Sequence, residues 1–359
     1  MAVADWVPIR EELRSHEPYG APQLDVAVRL NTNENPYGPS ESTADAMARS
    51  VAAVATELNR YPDREAMALR AALAGYLGHG LTADAVWAAN GSNEVMQQIL
   101  QAFGGPDRTA LSYAPTYSMY PEYARNTNTR WVTGRRNDEF GIDVARATAL
   151  IERERPDVVL LTSPNNPTGT ALPLDAVRAI GDVAPGVVVV DEAYAEFRRD
   201  GTPTALELLA DHPRLLVTRT MSKAFALAGG RVGYVAAAPE IIDALRVVRL
   251  PYHLSAVTQA VARVALDHAD EPLARVDELR ETRDKLAAQL NELGLDVAES
   301  DANFILFGTF ADRHAVWQGL LEHGVLIRET GPEGWLRVSV GTRDETQAFY
   351  HALREVLGK

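Results

Sequence analysis

A two-domain protein, with an α/β sheet domain followed by a smaller α+β domain, is predicted by three features of the 359-residue sequence. Continuous apolar runs of strand length alternate with amphipathic stretches through the middle of the chain. After Pro251 the texture changes to long helical periodicity and then to three short strands. The length also exceeds what one simple core supports.

Residues 1–35, rich in Pro and Asn, read as an N-terminal arm. Residues 36–252 form the large domain, which opens with the strand Val86–Ala89 and the helical stretch Glu94–Phe103. Further strands are expected at Thr109–Tyr113, Asp157–Thr162, Gly186–Asp191, Arg214–Thr220 and Arg231–Ala237. Apolar strands separated by helices predict a mostly parallel sheet covered on both faces. Residues 253–359 form the small domain. Its helices are Ser255–Asp267 and Glu271–Leu293, and its strands are Asn303–Phe307, Gly324–Arg328 and Trp335–Val340. One helix lies among those strands and a terminal helix follows them.

Composition narrows the function. The chain is 46% hydrophobic and 23% charged, as globular proteins are, and it has no cysteine. Disulfides, thiolate zinc sites and cysteine nucleophiles are therefore excluded. A net charge of −14 without a Lys/Arg block argues against nucleic acid and anionic membranes as partners. An anionic small molecule stays open, because a few aimed arginines outweigh the mean field. Asp5, Glu11 and Glu12 interrupt any signal-peptide core, and runs such as Val187–Val190 are too short to cross a bilayer. A cytoplasmic protein is expected. The eight histidines are dispersed without ligand spacing, so no metal is expected.

Ligands of open α/β sheets bind beyond the carboxyl ends of the strands, and the polar residues collect there in four clusters. Asn90-Gly91-Ser92-Asn93-Glu94 opens a helix, either as an ordinary N-cap made by Ser92 or Asn93 or as an anion site at free amides. Ser163-Pro164-Asn165-Asn166-Pro167-Thr168-Gly169 is a turn by composition, yet its asparagine amides suit a ring oxygen. Asp191 ends an apolar run. It is either the cap of the next helix or a carboxylate that needs a cation such as a protonated pyridine nitrogen, with Tyr194 near the same ring. Lys223, among Met221, Ala224 and Phe225, is placed for desolvation, which frees an amine to attack aldehydes. Ser222 and Arg231 supply a hydroxyl and a guanidinium for one phosphate.

In this order the clusters resemble fold-type-I pyridoxal-phosphate aminotransferases, most of all the histidinol-phosphate aminotransferase branch. The resemblance runs over nearly the whole chain. It includes Asn31-Thr32-Asn33-Glu34-Asn35-Pro36-Tyr37-Gly38, Asn59-Arg60-Tyr61-Pro62-Asp63, Leu250-Pro251-Tyr252-His253 and Leu336-Arg337-Val338-Ser339. It implies a seven-stranded sheet, pyridoxal 5'-phosphate held as a Schiff base on Lys223, and Asp191 at the pyridine nitrogen. Asn166 and Tyr194 would hold the ring oxygen, Tyr117 would stack on the ring, and Ser92, Asn93, Ser222 and Arg231 would bind the cofactor phosphate. Tyr61 would reach that phosphate from the partner subunit, so a homodimer with shared sites is implied. Arg337 would clamp the anionic end of the substrate, with Tyr19, Asn33 and Arg328 beside it.

The implied reaction is reversible transamination between L-histidinol phosphate and 2-oxoglutarate, giving imidazole acetol phosphate and L-glutamate. An aromatic (phenylalanine) aminotransferase shares every cofactor residue and is the nearest alternative, with a phosphothreonine decarboxylase next. A non-catalytic cofactor-binding sensor would be expected to have lost Lys223 or Asp191, and this chain has both.

Overall fold

The computed structural model describes residues 4–359. Chain order runs β1 (Val28–Arg29), α1 (Glu41–Ala55), α2 (Met67–Leu77), β2 (Val86–Ala89), α3 (Ser92–Phe103), β3 (Thr109–Ala114) and α4 (Tyr120–Asn126). It continues with β4 (Arg130–Arg135), α5 (Val144–Glu154), β5 (Val158–Thr162), α6 (Leu174–Val183), β6 (Val187–Asp191), β7 (Leu215–Thr220), β8 (Gly233–Ala237) and α7 (Pro239–Val248). The remainder is α8 (Ala256–Asp267), α9 (Asp270–Glu292), β9 (Asp296–Val297), β10 (Phe304–Gly308), α10 (Arg313–Glu322), β11 (Val325–Leu326), β12 (Leu336–Ser339) and α11 (Arg343–Leu357).

Seven strands form one sheet in the order β2-β8-β7-β6-β5-β3-β4. It is parallel except at β8, which runs antiparallel to both of its neighbours. The predicted α/β class holds. In β6, Val188 and Val190 enter one apolar core while Val187 and Val189 enter another on the opposite face. Strand β5 divides in the same way. A period of two with both faces covered is what a continuous run of valine and leucine encodes.

Strand β4 is the one member of this sheet that the apolar runs did not reveal. It pairs with β3 alone, at the sheet edge, and its sequence Arg-Trp-Val-Thr-Gly-Arg is largely open to solvent. An edge strand needs no apolar run.

A separate core gathers Leu286, Leu290, Ile305, Phe307, Val338 and Phe349 between the antiparallel sheet β12-β10-β9 and α9 to α11. Helix α9 joins it to the sheet core that holds Val188 and Val190, with Val276 and Leu279 in that core and Leu286 and Leu290 in the separate one. Helix α8 lies against α1 and α2. Strand β1 leaves the arm and pairs in parallel with β11, so residues 30–37 run between the two cores. Thr342 and Glu345 close a capping box on α11, and Ser40 caps α1. No helix among the described residues is long and apolar enough to cross a membrane.

Candidate active site

The carboxyl ends of β5, β6 and β7 open into a cavity of about 250 Å³, closed on the other side by residues 31–33 and by β12. Of the residues singled out in the sequence, Tyr19, Asn33, Ser92, Asn93, Tyr117, Asn166, Asp191, Tyr194, Ser222, Lys223, Arg231, Arg328 and Arg337 all line it. Tyr61 does not. It is 80% exposed and stacks on Tyr252 with ring centroids 4.3 Å apart.

The candidate anion cradle is built around a glycine. Gly91, not Ser92 or Asn93, occupies the N-cap of α3, and no side chain caps the helix there. The ordinary-cap reading of Ser92 and Asn93 is therefore corrected. Both lie in the first turn, whose amides have no partner in a preceding turn. Gly91 has φ +86°, and a Cβ on it would stand 2.3 Å from Arg231 Nη2. The missing side chain is what admits the guanidinium to the helix end. Arg231 itself sits at φ +54° just before β8 and donates to Ser222 Oγ at 3.4 Å. The strand predicted from Arg231 thus begins at Gly233, because Arg231 turns towards the cradle.

Asp191 is 5% exposed at the end of β6. Its partners are neutral donors: Tyr120 Oη at 2.9 Å, Ala193 N at 3.2 Å and Thr218 Oγ1 at 3.3 Å. Burial pushes its carboxyl up to about 6, against the pull of those hydrogen bonds. It caps no helix, since the short 3₁₀ turn that follows starts at Ala195 with Tyr194 in the cap position.

Lys223 follows β7 and donates to Thr32 O at 2.8 Å. Burial lowers its amine to about 8, helped by the positive charges of Arg337 and Arg231 and opposed by Glu34. Tyr194 Oη accepts from Asn33 Nδ2 at 3.0 Å and Asn166 Nδ2 at 3.4 Å. The two turn asparagines divide their work. Asn166 faces the cavity, while Asn165 is fully buried and braces the loop through Pro115 O and Thr168 Oγ1.

Arg337, 6% exposed, donates to Asn31 O at 2.8 Å and to Asn166 Oδ1, and its guanidinium lies 5.1 Å from the Phe304 ring centroid. Its Nε has no partner. Among the described residues no carboxylate pairs with Arg337 or Arg231, whereas Arg199, Arg219 and Arg249 each have one. Burial lowers Arg337 to about 10. Arg231 is exposed, but a buried guanidinium such as Arg337 without a counter-charge is costly unless an anion arrives.

The motif reading missed Tyr120, Thr162 and Thr218 around Asp191, and Ser339, whose hydroxyl donates to Asn33 Oδ1 at 2.8 Å. Thr162, Thr218 and Ser339 lie within strands and Tyr120 opens α4, and none carries a local signal. His253 is a packing residue: it stacks on Trp87, and its Nε2 lies 2.9 Å from Ala88 O. Among the described residues no group of three or more acidic or histidine side chains is placed to hold a metal.

Fold and cavity together define a transferase of the aminotransferase type, and the chain belongs to the class I and II aminotransferase family, whose model matches residues 25–353. The histidinol-phosphate aminotransferase of Thermobifida fusca is 61% identical over 355 residues, covering 99% of this chain and 97% of its own. Histidinol-phosphate aminotransferase 3 of Burkholderia lata is 60% identical over 361 residues, with the same coverage. The solved histidinol-phosphate aminotransferase of Sinorhizobium meliloti, in complex with pyridoxal 5'-phosphate, superposes with a TM-score of 0.84 at 27% identity, covering 93% of this chain and 91% of that one.

Proposed function

We propose that the protein is a histidinol-phosphate aminotransferase, carrying the amino group between L-histidinol phosphate and 2-oxoglutarate in histidine biosynthesis, with pyridoxal 5'-phosphate as cofactor. The site fits that cofactor on two counts: a buried carboxylate with no cation, and a cradle at Gly91 that a Cβ would fill. When bound, the cofactor supplies an electron sink for charge developing at the substrate carbon.

The chain's own residues do the rest. Lys223 Nζ, lowered to about 8, has a far larger free-amine fraction near neutral pH than an ordinary lysine and carries the proton to and from the substrate carbon. With the cofactor bound, Asp191 would pair with the pyridine nitrogen and keep it protonated. Asn166 and Tyr194 would hold the ring oxygen, and Tyr117 would stack on the ring. Ser92, Asn93, Ser222 and Arg231 would receive the phosphate. Tyr19, Asn33 and Arg328 complete the substrate pocket around Arg337.

The observation that carries the substrate assignment is the buried Arg337 with its unpartnered Nε. L-Histidinol phosphate has a phosphate and no carboxylate, whereas glutamate has a second carboxylate. One bidentate guanidinium accepts either in turn.

A homodimer goes with this reading. Leu58, Tyr61, Val247, Leu250 and Tyr252 are exposed apolar side chains, and Glu65 ties their segments together through Arg246 and Arg249 at 2.9 and 2.7 Å. In the dimer Tyr61 reaches the neighbouring subunit's cofactor phosphate. A cytoplasmic location accords with the same reading. The test is glutamate production from 2-oxoglutarate with L-histidinol phosphate or phenylalanine as amino donor. Faster turnover with histidinol phosphate is expected, and a preference for phenylalanine would overturn the assignment in favour of an aromatic aminotransferase.

A further inference from the structure

Tyr120 is buried completely, at the start of α4, and takes no part in the roles above. Its hydroxyl lies 2.9 Å from Asp191 Oδ2 and 2.7 Å from Thr162 Oγ1. Thr162 Oγ1 in turn lies 3.3 Å from Thr116 Oγ1, at the cavity wall. An ionised carboxylate only accepts, and each hydroxyl has one proton to give. Tyr120 must therefore donate to Asp191, Thr162 to Tyr120, and Thr116 to Thr162. Every direction in the chain is forced, and each donor polarises the next.

We infer that Tyr120 is a positioning residue for the reaction: the one-way hydroxyl chain Thr116–Thr162–Tyr120 holds Asp191 as a carboxylate aimed at the pyridine nitrogen. The inference rests on the cofactor reading above and adds the device that keeps its carboxylate ionised. Protonating Oδ2 would set a donor against a donor, so the whole chain would have to reverse. The other oxygen, Oδ1, is held by Thr218 and the Ala193 amide. Arg136, buried with carbonyl partners only, donates to Thr162 O at 3.4 Å and puts a fixed positive charge behind the chain.

The remaining titratable groups around Asp191 are Glu192, engaged by Arg219 at 2.7 Å, and the hydroxyls of Tyr117, Tyr123 and Tyr194. All three tyrosines are held neutral by burial, which leaves Tyr120 as the tyrosine in hydrogen-bond contact with the carboxylate. Its ring also meets Tyr117 edge-on at 5.6 Å and so steadies the ring proposed to stack on the cofactor.

The test uses wild type, Tyr120→Phe and Thr162→Val, each reconstituted with pyridoxal phosphate labelled with ¹⁵N in the ring and followed by NMR. The wild-type ring nitrogen should resonate as protonated. In Tyr120→Phe the resonance should move towards the unprotonated position, with a smaller shift the same way in Thr162→Val. Turnover number should fall about ten- to a hundredfold in Tyr120→Phe with KM little changed, as loss of one hydrogen bond to a charged group predicts. Should Tyr120→Phe fail to fold, Thr162→Val carries the same readout. A protonated resonance unchanged in the variants would overturn the chain and leave the Asp191 assignment standing. An unprotonated nitrogen in wild type would overturn both.

Discussion

At the scale of single residues, burial sets the chemistry of Lys223. A lysine in the unfolded chain titrates near ~10.4, and in this cavity the amine falls to about 8. The folded value is depressed, so the folded state penalises the charged form. That cost is complete below about pH 8 and fades as pH rises towards the unfolded value. Acylation of Lys223 in the cofactor-free protein should accordingly follow a midpoint near pH 8, whereas a midpoint near 10 would refute its desolvation. Asp191 works in the opposite sense. Its folded value of about 6 lies above the ~3.9 of an unfolded aspartate, so its stability cost is complete above pH 6 and vanishes as pH falls through both values. Asp191→Asn should then melt at a higher temperature than wild type, without cofactor, at pH 8 but not at pH 3.5. Equal differences at the two pH values would contradict the account. Arg337→Ala removes the buried guanidinium that faces the cavity with an open donor. It should weaken saturation by histidinol phosphate and by glutamate alike, about thirtyfold or more, as loss of a buried charge-assisted contact implies. Impairment with only one of them would exclude a shared anion site.

At the scale of elements, the turn into α3 is the least replaceable part. Gly91→Ala would force an L-residue into φ +86° and set its Cβ against Arg231. Cofactor affinity should drop about tenfold or more, from ~1–2 kcal/mol of backbone strain together with the displaced guanidinium. An unaltered affinity would show that Arg231 is not part of the cradle. The same elements show what the sequence makes legible. Strands β5, β6 and β7 announce themselves because both faces are buried, and a parallel sheet puts its ligands at their ends, so Asp191 and Lys223 stand out. Edge strand β4 has no such pattern. The Tyr120–Thr162 contact spans 42 positions, and no local spacing encodes it. Whether Ser92 caps its helix or lies within the first turn depends on the backbone angle at Gly91, which composition leaves open.

At the scale of the whole molecule, the proposal that the site borrows Tyr61 from its neighbour makes a definite demand on subunit mixing. Lys223→Ala and Tyr61→Ala should each be impaired as homodimers. Random mixing should restore roughly a quarter of the wild-type sites, because half of the dimers are mixed and each mixed dimer holds one intact site. No recovery on mixing would show that Tyr61 does not act across the subunit boundary. The two parts joined by α9 enclose residues 31–33 and Arg337 against the strand ends, so the residues proposed for the cofactor come from one part and the proposed substrate clamp from the other. The most direct test of this arrangement as a histidinol-phosphate aminotransferase is a single-turnover titration of the cofactor-loaded protein, followed by the cofactor's visible absorbance. L-Histidinol phosphate, glutamate and phenylalanine are added separately. Rapid conversion by the first two and slow conversion by phenylalanine is the result expected; fast conversion by phenylalanine with none by histidinol phosphate would contradict it.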